Sequence, residues 1–352
     1  MNLCRYDATV SPAQSCDVAL GCVSILRGVF SFLRRQKNPG LIWLDESRAA
    51  RSIAEKERRR EINEEEAANL RKFAADGYFI TRIDLPETMA NEIDGDVDRL
   101  WREKPPTLAF AYDSPPKRFS ESNEPQHRKP RYRIHELHTA SAAARHLVLH
   151  PLLHRYASII LGETAVATQS LYFEYGSQQA LHRDSTVVPT PEFGRLVAAW
   201  IALEDINAES GPLAYVPGSQ RFPFYEFRPG EFVYNPVVHT AADVEKAMNF
   251  YSNELKRSKL PVRHFLARRG EVLVWHSALM HGGAEPITPE RTRKSLVVHY
   301  SALQHHPTRL CAVSEEIDGV IGESVFETAE LIEERGAYAF ADPLSGKFLY
   351  RR

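Results

Sequence analysis

Cysteine is scarce in this chain: Cys4, Cys16, Cys22 and Cys311 are the only four, and no two form a Cys-x-x-Cys pair. Three of them fall within the first 22 residues, so the body of the sequence has neither a disulfide framework nor a cysteine-built zinc site. A reducing, cytoplasmic setting is the expectation. Charge of one sign is missing too. The 44 Lys and Arg against 46 Asp and Glu leave a formal charge of −2, which removes the general pull on nucleic acid. No apolar run is long enough to span a bilayer. The stretch 18–33 contains Arg27, and its basic residues Arg34, Arg35 and Lys37 follow it rather than precede it. That order does not suit a secretory leader. The stretch reads as a helix packed on the protein body or a loosely ordered extension, with an amphipathic helix touching a membrane surface as the rival reading and no stable membrane insertion. No internal repeat is visible.

The first half of the chain reads as helical. Residues 45–72 interleave acidic and basic side chains at helical spacing, which predicts a solvated helix. Gly77 reads as its stop and Tyr78-Phe79-Ile80-Thr81 as a strand. Leu85, Met89, Ile93, Val97 and Leu100 predict a second helix over 84–101. Residues 104–133 lose all periodicity and carry Pro105, Pro106, Pro115, Pro116, Pro125 and Pro130, which predicts a long loop, a candidate lid. Its Lys117, Arg118, Arg128, Lys129, Arg131 and Arg133 are placed either to solvate the loop or to meet an anionic substrate group. A further helix is expected over 150–161, ending at Gly162.

From residue 165 the character becomes β. Runs rich in Val, Ile, Phe, Tyr and Trp cover 166–175, 195–203, 213–216, 271–275 and 294–303, separated by turn residues. Residues 222–268 interrupt them as an insertion with a helix at 241–255. The expected architecture is mainly β with packed helices: a double-stranded β-helix (jelly roll, cupin-like) core with the N-terminal helices on one sheet. Residues 1–64 are expected to form an N-terminal helical extension, part of it loosely ordered. Residues 65–310 are expected to form the domain, with a lid at about 104–140 and the insertion at about 222–268. Residues 311–352 read as a C-terminal extension.

The chemistry sits in His182-Arg183-Asp184. Alternate residues of an extended chain share a face, so His182 and Asp184 point the same way. With one more imidazole they form a 2-His-1-carboxylate triad, which leaves half an octahedron open and suits non-haem Fe(II). The segment 270–283 offers His276 and His281. Gly282 and Gly283 favour His281, since they allow close backbone approach beside a metal. Arg293, twelve residues beyond His281, starts the strand 294–302, and a guanidinium buried there needs a carboxylate partner. Spacing leaves Arg291 open for the same role, and leaves open a simple surface arginine.

These residues carry a resemblance. The stretches Leu181-His182-Arg183-Asp184-Ser185, Ala199-Trp200 through Asp205, Gly211 through Ser219, and His281-Gly-Gly leading to Arg293-Lys294 resemble the phytanoyl-CoA dioxygenase-like branch of the Fe(II)/2-oxoglutarate-dependent oxygenases. Residues 69–80 look like the opening helix and strand of that domain, so the resemblance covers roughly 65–305. It implies His182, Asp184 and His281 as iron ligands and Arg293 as the anchor of the distal carboxylate of 2-oxoglutarate. Gln169 would hold the co-substrate with a polar side chain, and Trp200 would line the pocket. The chain departs from the family pattern at Gln220, where a histidine is usual, and in a longer His-to-Arg interval. The implied reaction takes 2-oxoglutarate and O₂ to succinate and CO₂ while oxidising, most often hydroxylating, an unactivated C–H of a small molecule. The rivals are a halogenase, disfavoured by Asp184, a metal-dependent hydrolase, and a silent jelly-roll binding protein. The substrate pocket is expected to draw on Arg131, Arg133, His135 and His138, and on Phe224, Tyr225 and Phe227.

Overall fold

The charged segment after residue 45 forms two helices in the computed structural model, α1 (Ala49–Arg58) and α2 (Glu64–Asp76), where the charge pattern alone predicts one. The break has a local cause. Asn63 accepts from the Glu66 amide at 2.8 Å, and the Glu66 carboxylate accepts from the Asn63 amide at 2.8 Å. This reciprocal cap satisfies amides that a helix start leaves unpaired. Helix α2 ends at Gly77, whose φ of 80° suits a residue without a Cβ. The structure describes residues 42–103, 110–112, 119–120, 128, 132–188, 190, 192–235, 239–305, 309–317, 320–327, 331–340 and 347–351. The apolar stretch 18–33 and Lys117, Arg118, Lys129 and Arg131 lie outside the described residues.

The remaining helices are α3 (Glu87–Glu103), α4 (Ala142–Val148), α5 (Pro151–Leu161), the single turn α6 (Asp184–Val187), and α7 (Ala241–Ser258). The first strands are β1 (Tyr78–Arg82), β2 (Phe110–Tyr112), β3 (Phe119–Ser120), β4 (Tyr132–His135), β5 (Ala165–Phe173) and β6 (Leu196–Ala202). They are followed by β7 (Leu213–Tyr215), β8 (Arg263–Phe265), β9 (Glu271–His276), β10 (His281–Gly283) and β11 (Ser295–Ala302). A large sheet runs in the order β1-β9-β6-β11-β5-β4-β2-β3, and a small one in the order β10-β7-β8. These two sheets, with helices outside the larger, form the expected jelly roll. Strands β2, β3 and β4 extend the large sheet through part of the segment that lacks periodicity, because backbone pairing of β4 with β5, β2 with β4 and β3 with β2 needs no hydrophobic alternation.

Strand β6 shows why the large sheet reads as a continuous apolar run. Val197, Ala199 and Ile201 pack with the helices, while Ala198, Trp200 and Ala202 fill the space between the sheets. Both faces are covered, so polar residues have no place on it. In β11, Leu296, Val298 and Tyr300 face the helices, and Val297 faces the inter-sheet core.

The packed body takes in residues before 64 and after 311. Ile42, Leu44, Ile53 and Ile62 are buried in the same core as α2, α5 and the large sheet. Downstream, the hairpin Leu331–Glu334 and Ala337–Phe340 joins β5 through a parallel pairing of Ala339 with Ala167, and Ala337 and Ala339 are buried. Ile53→Ala should therefore cost about 2–5 kcal/mol of unfolding free energy, as for other core truncations. Urea denaturation measures this, and a loss near zero would show that α1 is not part of the cooperative unit.

Candidate active site

His182 and His281 lie far apart in sequence and are joined by a reciprocal backbone bridge. The His182 amide donates to the His281 carbonyl at 2.8 Å, and the His281 amide donates to the His182 carbonyl at 3.0 Å. The bridge adds residue 182 to the edge of β10 in the small sheet. The two glycines after His281 make it possible. A Cβ on Gly282 would lie 2.5 Å from the Gln179 carbonyl oxygen, and one on Gly283 would lie 2.5 Å from Ser177 Oγ. Residue 183 is extended (φ −122°, ψ 129°), so His182 and Asp184 share a face, although Asp184 itself opens α6 rather than continuing a strand. Arg183 points the other way. Its Nε donates to the Ala278 carbonyl at 2.7 Å, and its guanidinium lies over the rings of Phe224 and Tyr251 at 4.4 and 4.9 Å. This buried side chain ties the segment to the 220s.

The result is a cluster of ligand atoms from His182, Asp184 and His281, all within 4.8 Å of one another. Asp184 Oδ1 stands 3.7 Å from His182 Nε2 and 3.5 Å from His281 Nε2. Nδ1 of His182 lies 2.8 Å from the Ala180 carbonyl oxygen, and Nδ1 of His281 lies 3.1 Å from that of Leu279. A carbonyl only accepts, so each Nδ1 carries the hydrogen and each Nε2 keeps a lone pair for a cation. Burial, reinforced by the neighbouring His281 ring, lowers His182 to about 4, which keeps it neutral and able to coordinate at neutral pH. Burial alone would raise the Asp184 carboxyl. The imidazoles of His281, His299 and His182 outweigh burial and hold it well below the ordinary carboxylate range.

Arg293 is 1% exposed and Arg291 lies on the surface, its side chain 46% exposed and 3.7 Å from Glu209. Arg293 Nη1 donates to the Gly211 carbonyl at 3.3 Å, and its Nε has no hydrogen-bond partner among the described residues. Phe173 and Trp200 flank the guanidinium, with ring centres 5.7 and 5.4 Å away. Burial lowers it to about 10 against the pull of Glu204, so it remains a cation at neutral pH. The indole nitrogen of Trp200 is likewise buried without a partner among the described residues.

A cavity of about 200 Å³ connects these groups, lined by residues that include His182, Asp184, His281, Arg293, Gln169 and Trp200. All six residues singled out from the sequence thus meet in one place. Arg133 and His135 on β4 also line it. Other expectations for the pocket do not hold. Arg128, read as either solvating its loop or meeting a substrate anion, forms a two-point ion pair with Glu174, both bonds 2.9 Å. His138 faces the helices and lies 2.8 Å from Ser170 Oγ. Phe224, Tyr225 and Phe227 pack into aromatic contacts and are not among the described residues lining the cavity. His276 is structural, 3.1 Å from Asp45 Oδ2. The cavity wall also holds residues not picked out from the sequence, Trp275 and His299 among them. The signal for His299 was present: it lies an even number of residues from Arg293 and so shares its face of β11.

A sequence model of the phytanoyl-CoA dioxygenase (PhyH) family matches residues 59–295. The chain belongs to the phytanoyl-CoA dioxygenase family. Members are Fe(II)/2-oxoglutarate-dependent oxygenases, as the sequence resemblance implied. Among curated relatives, phytanoyl-CoA dioxygenase domain-containing protein 1 of Mus musculus is 23% identical over 47% of this chain and 55% of its own length. The peroxisomal phytanoyl-CoA dioxygenase of Homo sapiens is 25% identical over 40% of this chain and 38% of its own. The chain thus spans about half the length, or less, of the curated relatives it matches. In fold it is similar to SnoK, a non-heme alpha ketoglutarate dependent carbocyclase from nogalamycin biosynthesis, with TM-score 0.52, 18% identity, and 69% of this chain and 85% of that one covered. The epimerase SnoN from the same biosynthesis gives TM-score 0.50, 17% identity, and 79% and 98% coverage. No helix of the described residues is long and apolar enough to cross a membrane.

The close approach of the phytanoyl-CoA dioxygenase family chain at Gly282 is open to a direct test. Gly282→Ala should destabilise the protein by about 1–3 kcal/mol, since the added carbon meets backbone rather than a movable side chain. Thermal and urea denaturation measure the loss, and a wild-type midpoint would show that the bridge tolerates the carbon.

Proposed function

We propose that this protein is an Fe(II)/2-oxoglutarate-dependent dioxygenase that oxidises, most simply hydroxylates, an unactivated C–H bond of a small molecule. One observation carries the reading. A cation-sized nest of two imidazole nitrogens and one carboxylate oxygen shares a small cavity with a buried guanidinium that has no carboxylate partner among the described residues. The first suits a divalent ion with open positions, and the second calls for an anion. The donor set therefore fits both groups. His182 and His281 would offer Nε2, Asp184 would offer Oδ1, and Arg293 would receive the distal carboxylate, with the Trp200 indole N–H and Gln169 as further polar contacts.

When bound, ferrous iron with 2-oxoglutarate supplies the O₂-dependent oxidative decarboxylation to succinate and CO₂ that drives oxidation of the substrate. The chain's part is placement. The Nδ1 contacts aim both imidazoles. The Phe173 and Trp200 rings strip water from the guanidinium, which strengthens its grip on a carboxylate. The apolar inter-sheet core below the cavity excludes bulk water from the reacting atoms. No acid or base is required, which accords with the absence of a second free carboxylate among the described residues lining the cavity. A hydrolase reading would leave Arg293 without a function.

Succinate formation that requires Fe(II), 2-oxoglutarate and O₂ together tests the reaction. His182→Ala and Asp184→Ala should each abolish it. Arg293→Ala should weaken 2-oxoglutarate binding roughly 10–100-fold, the loss expected for a charge-assisted pair. Arg291→Ala should leave that affinity unchanged. The reverse pattern for the two arginines would move the anchor to Arg291.

A further inference from the structure

Oδ1 of Asp184 faces the imidazoles of His182 and His281, but Oδ2 is held from behind. Trp275 Nε1 donates to Oδ2 at 2.9 Å, and His299 Nε2 lies 3.5 Å from the same atom, at the outer limit of a hydrogen bond. His299 is itself held, with Nδ1 3.0 Å from the side-chain oxygen of Gln169. A carboxylate only accepts, so a hydrogen bond across this gap requires the hydrogen on His299 Nε2. Its Nδ1 is then free to accept, and Gln169 serves it best by presenting the amide NH₂. Oxygen and nitrogen of an amide are interchangeable by a half turn.

The backbone is built to allow this chain. The β5–β11 register shifts between His299 and Tyr300, so that Thr168 is the extra residue opposite them. Before the bulge Ala165 and Ala167 face the helices, and after it Tyr172 does, with Ser170 bonded on that side to His138. The bulge thus reverses which residues face inward. It turns Gln169 into the cavity, directly across from His299.

We propose that Gln169 and His299 are positioning residues: a two-link chain ending on Asp184 Oδ2 that, with Trp275, leaves Oδ1 alone to meet the metal. A carboxylate free at both oxygens can turn and chelate, taking a position that the co-substrate and O₂ need. The proposal rests on the assignment of His182, Asp184 and His281 as ligands. It gives Gln169 a function through His299 rather than through the co-substrate alone.

The test uses the full chain with Co(II) as probe, without 2-oxoglutarate, read by metal affinity and by the visible ligand-field spectrum that reports coordination number. His299→Leu should bind Co(II) about 10–100-fold more weakly, the usual loss when a residue behind a ligand is removed, with an altered spectrum. His299→Gln places an amide N–H near the same point and should restore most of the affinity and the spectrum. Gln169→Leu should shift both readouts in the direction of His299→Leu. The double variant should lose no more than His299→Leu alone, because both act through one contact. Wild-type affinity and spectrum in either His299→Leu or Gln169→Leu would overturn the proposal, so a failure of the first to fold leaves the second decisive. Failure of the unaltered chain to bind Co(II) would overturn the ligand assignment and this inference with it.

Discussion

Asp184 places a negative charge between two β-sheets with most water excluded, and the surrounding structure is arranged to compensate it. An uncompensated carboxylate in such a place costs several kcal/mol. Groups from widely separated elements surround it: Trp275 on β9 and His299 on β11 lie against Oδ2, while His182 and His281 on β10 stand at Oδ1. The compensation is uneven between its two oxygens. Oδ2 is covered by an indole and an imidazole, whereas Oδ1 looks toward two lone pairs that offer no hydrogen. That imbalance marks the place where a cation belongs.

Arg293 is the positive counterpart, buried between two aromatic rings with an unpartnered Nε. The two charges do not pair with each other. Each is left short of a partner inside one cavity, and stability alone would not favour this arrangement. A fold that buries both without joining them is organised around ligands it does not itself supply. Membership of the phytanoyl-CoA dioxygenase family and the proposed co-substrate, an anion that chelates metal, agree with that organisation.

Much of this was legible before any coordinates. The His-x-Asp spacing and the glycines after His281 named the site, and the apolar runs of β6, β9 and β11 named the jelly roll. These signals are local: alternation along one extended segment, or a glycine where backbone must approach backbone. Other readings failed for equally physical reasons. The basic side chain of Arg128 left substrate contact open beside plain solvation, and Glu174 pairs with it. The aromatic residues 224, 225 and 227 suggested a pocket wall, yet Phe224 packs on Arg183, whose burial nothing in the local sequence announced, and Tyr225 and Phe227 pack on each other.

The sequence by itself determined most of the helices and core strands, which residue types could hold a metal, and that a guanidinium, if buried near the end of the domain, would need a carboxylate. Only the tertiary structure decided that Arg293 and not Arg291 is buried. It also decided that His276 serves Asp45 while His281 joins His182, and that Gln169 faces His299. Periodicity fixes the face of a side chain within one strand. Which strands lie side by side, in what register, and where a single extra residue reverses the faces are set by pairing between distant parts of the chain. No local pattern encodes that pairing.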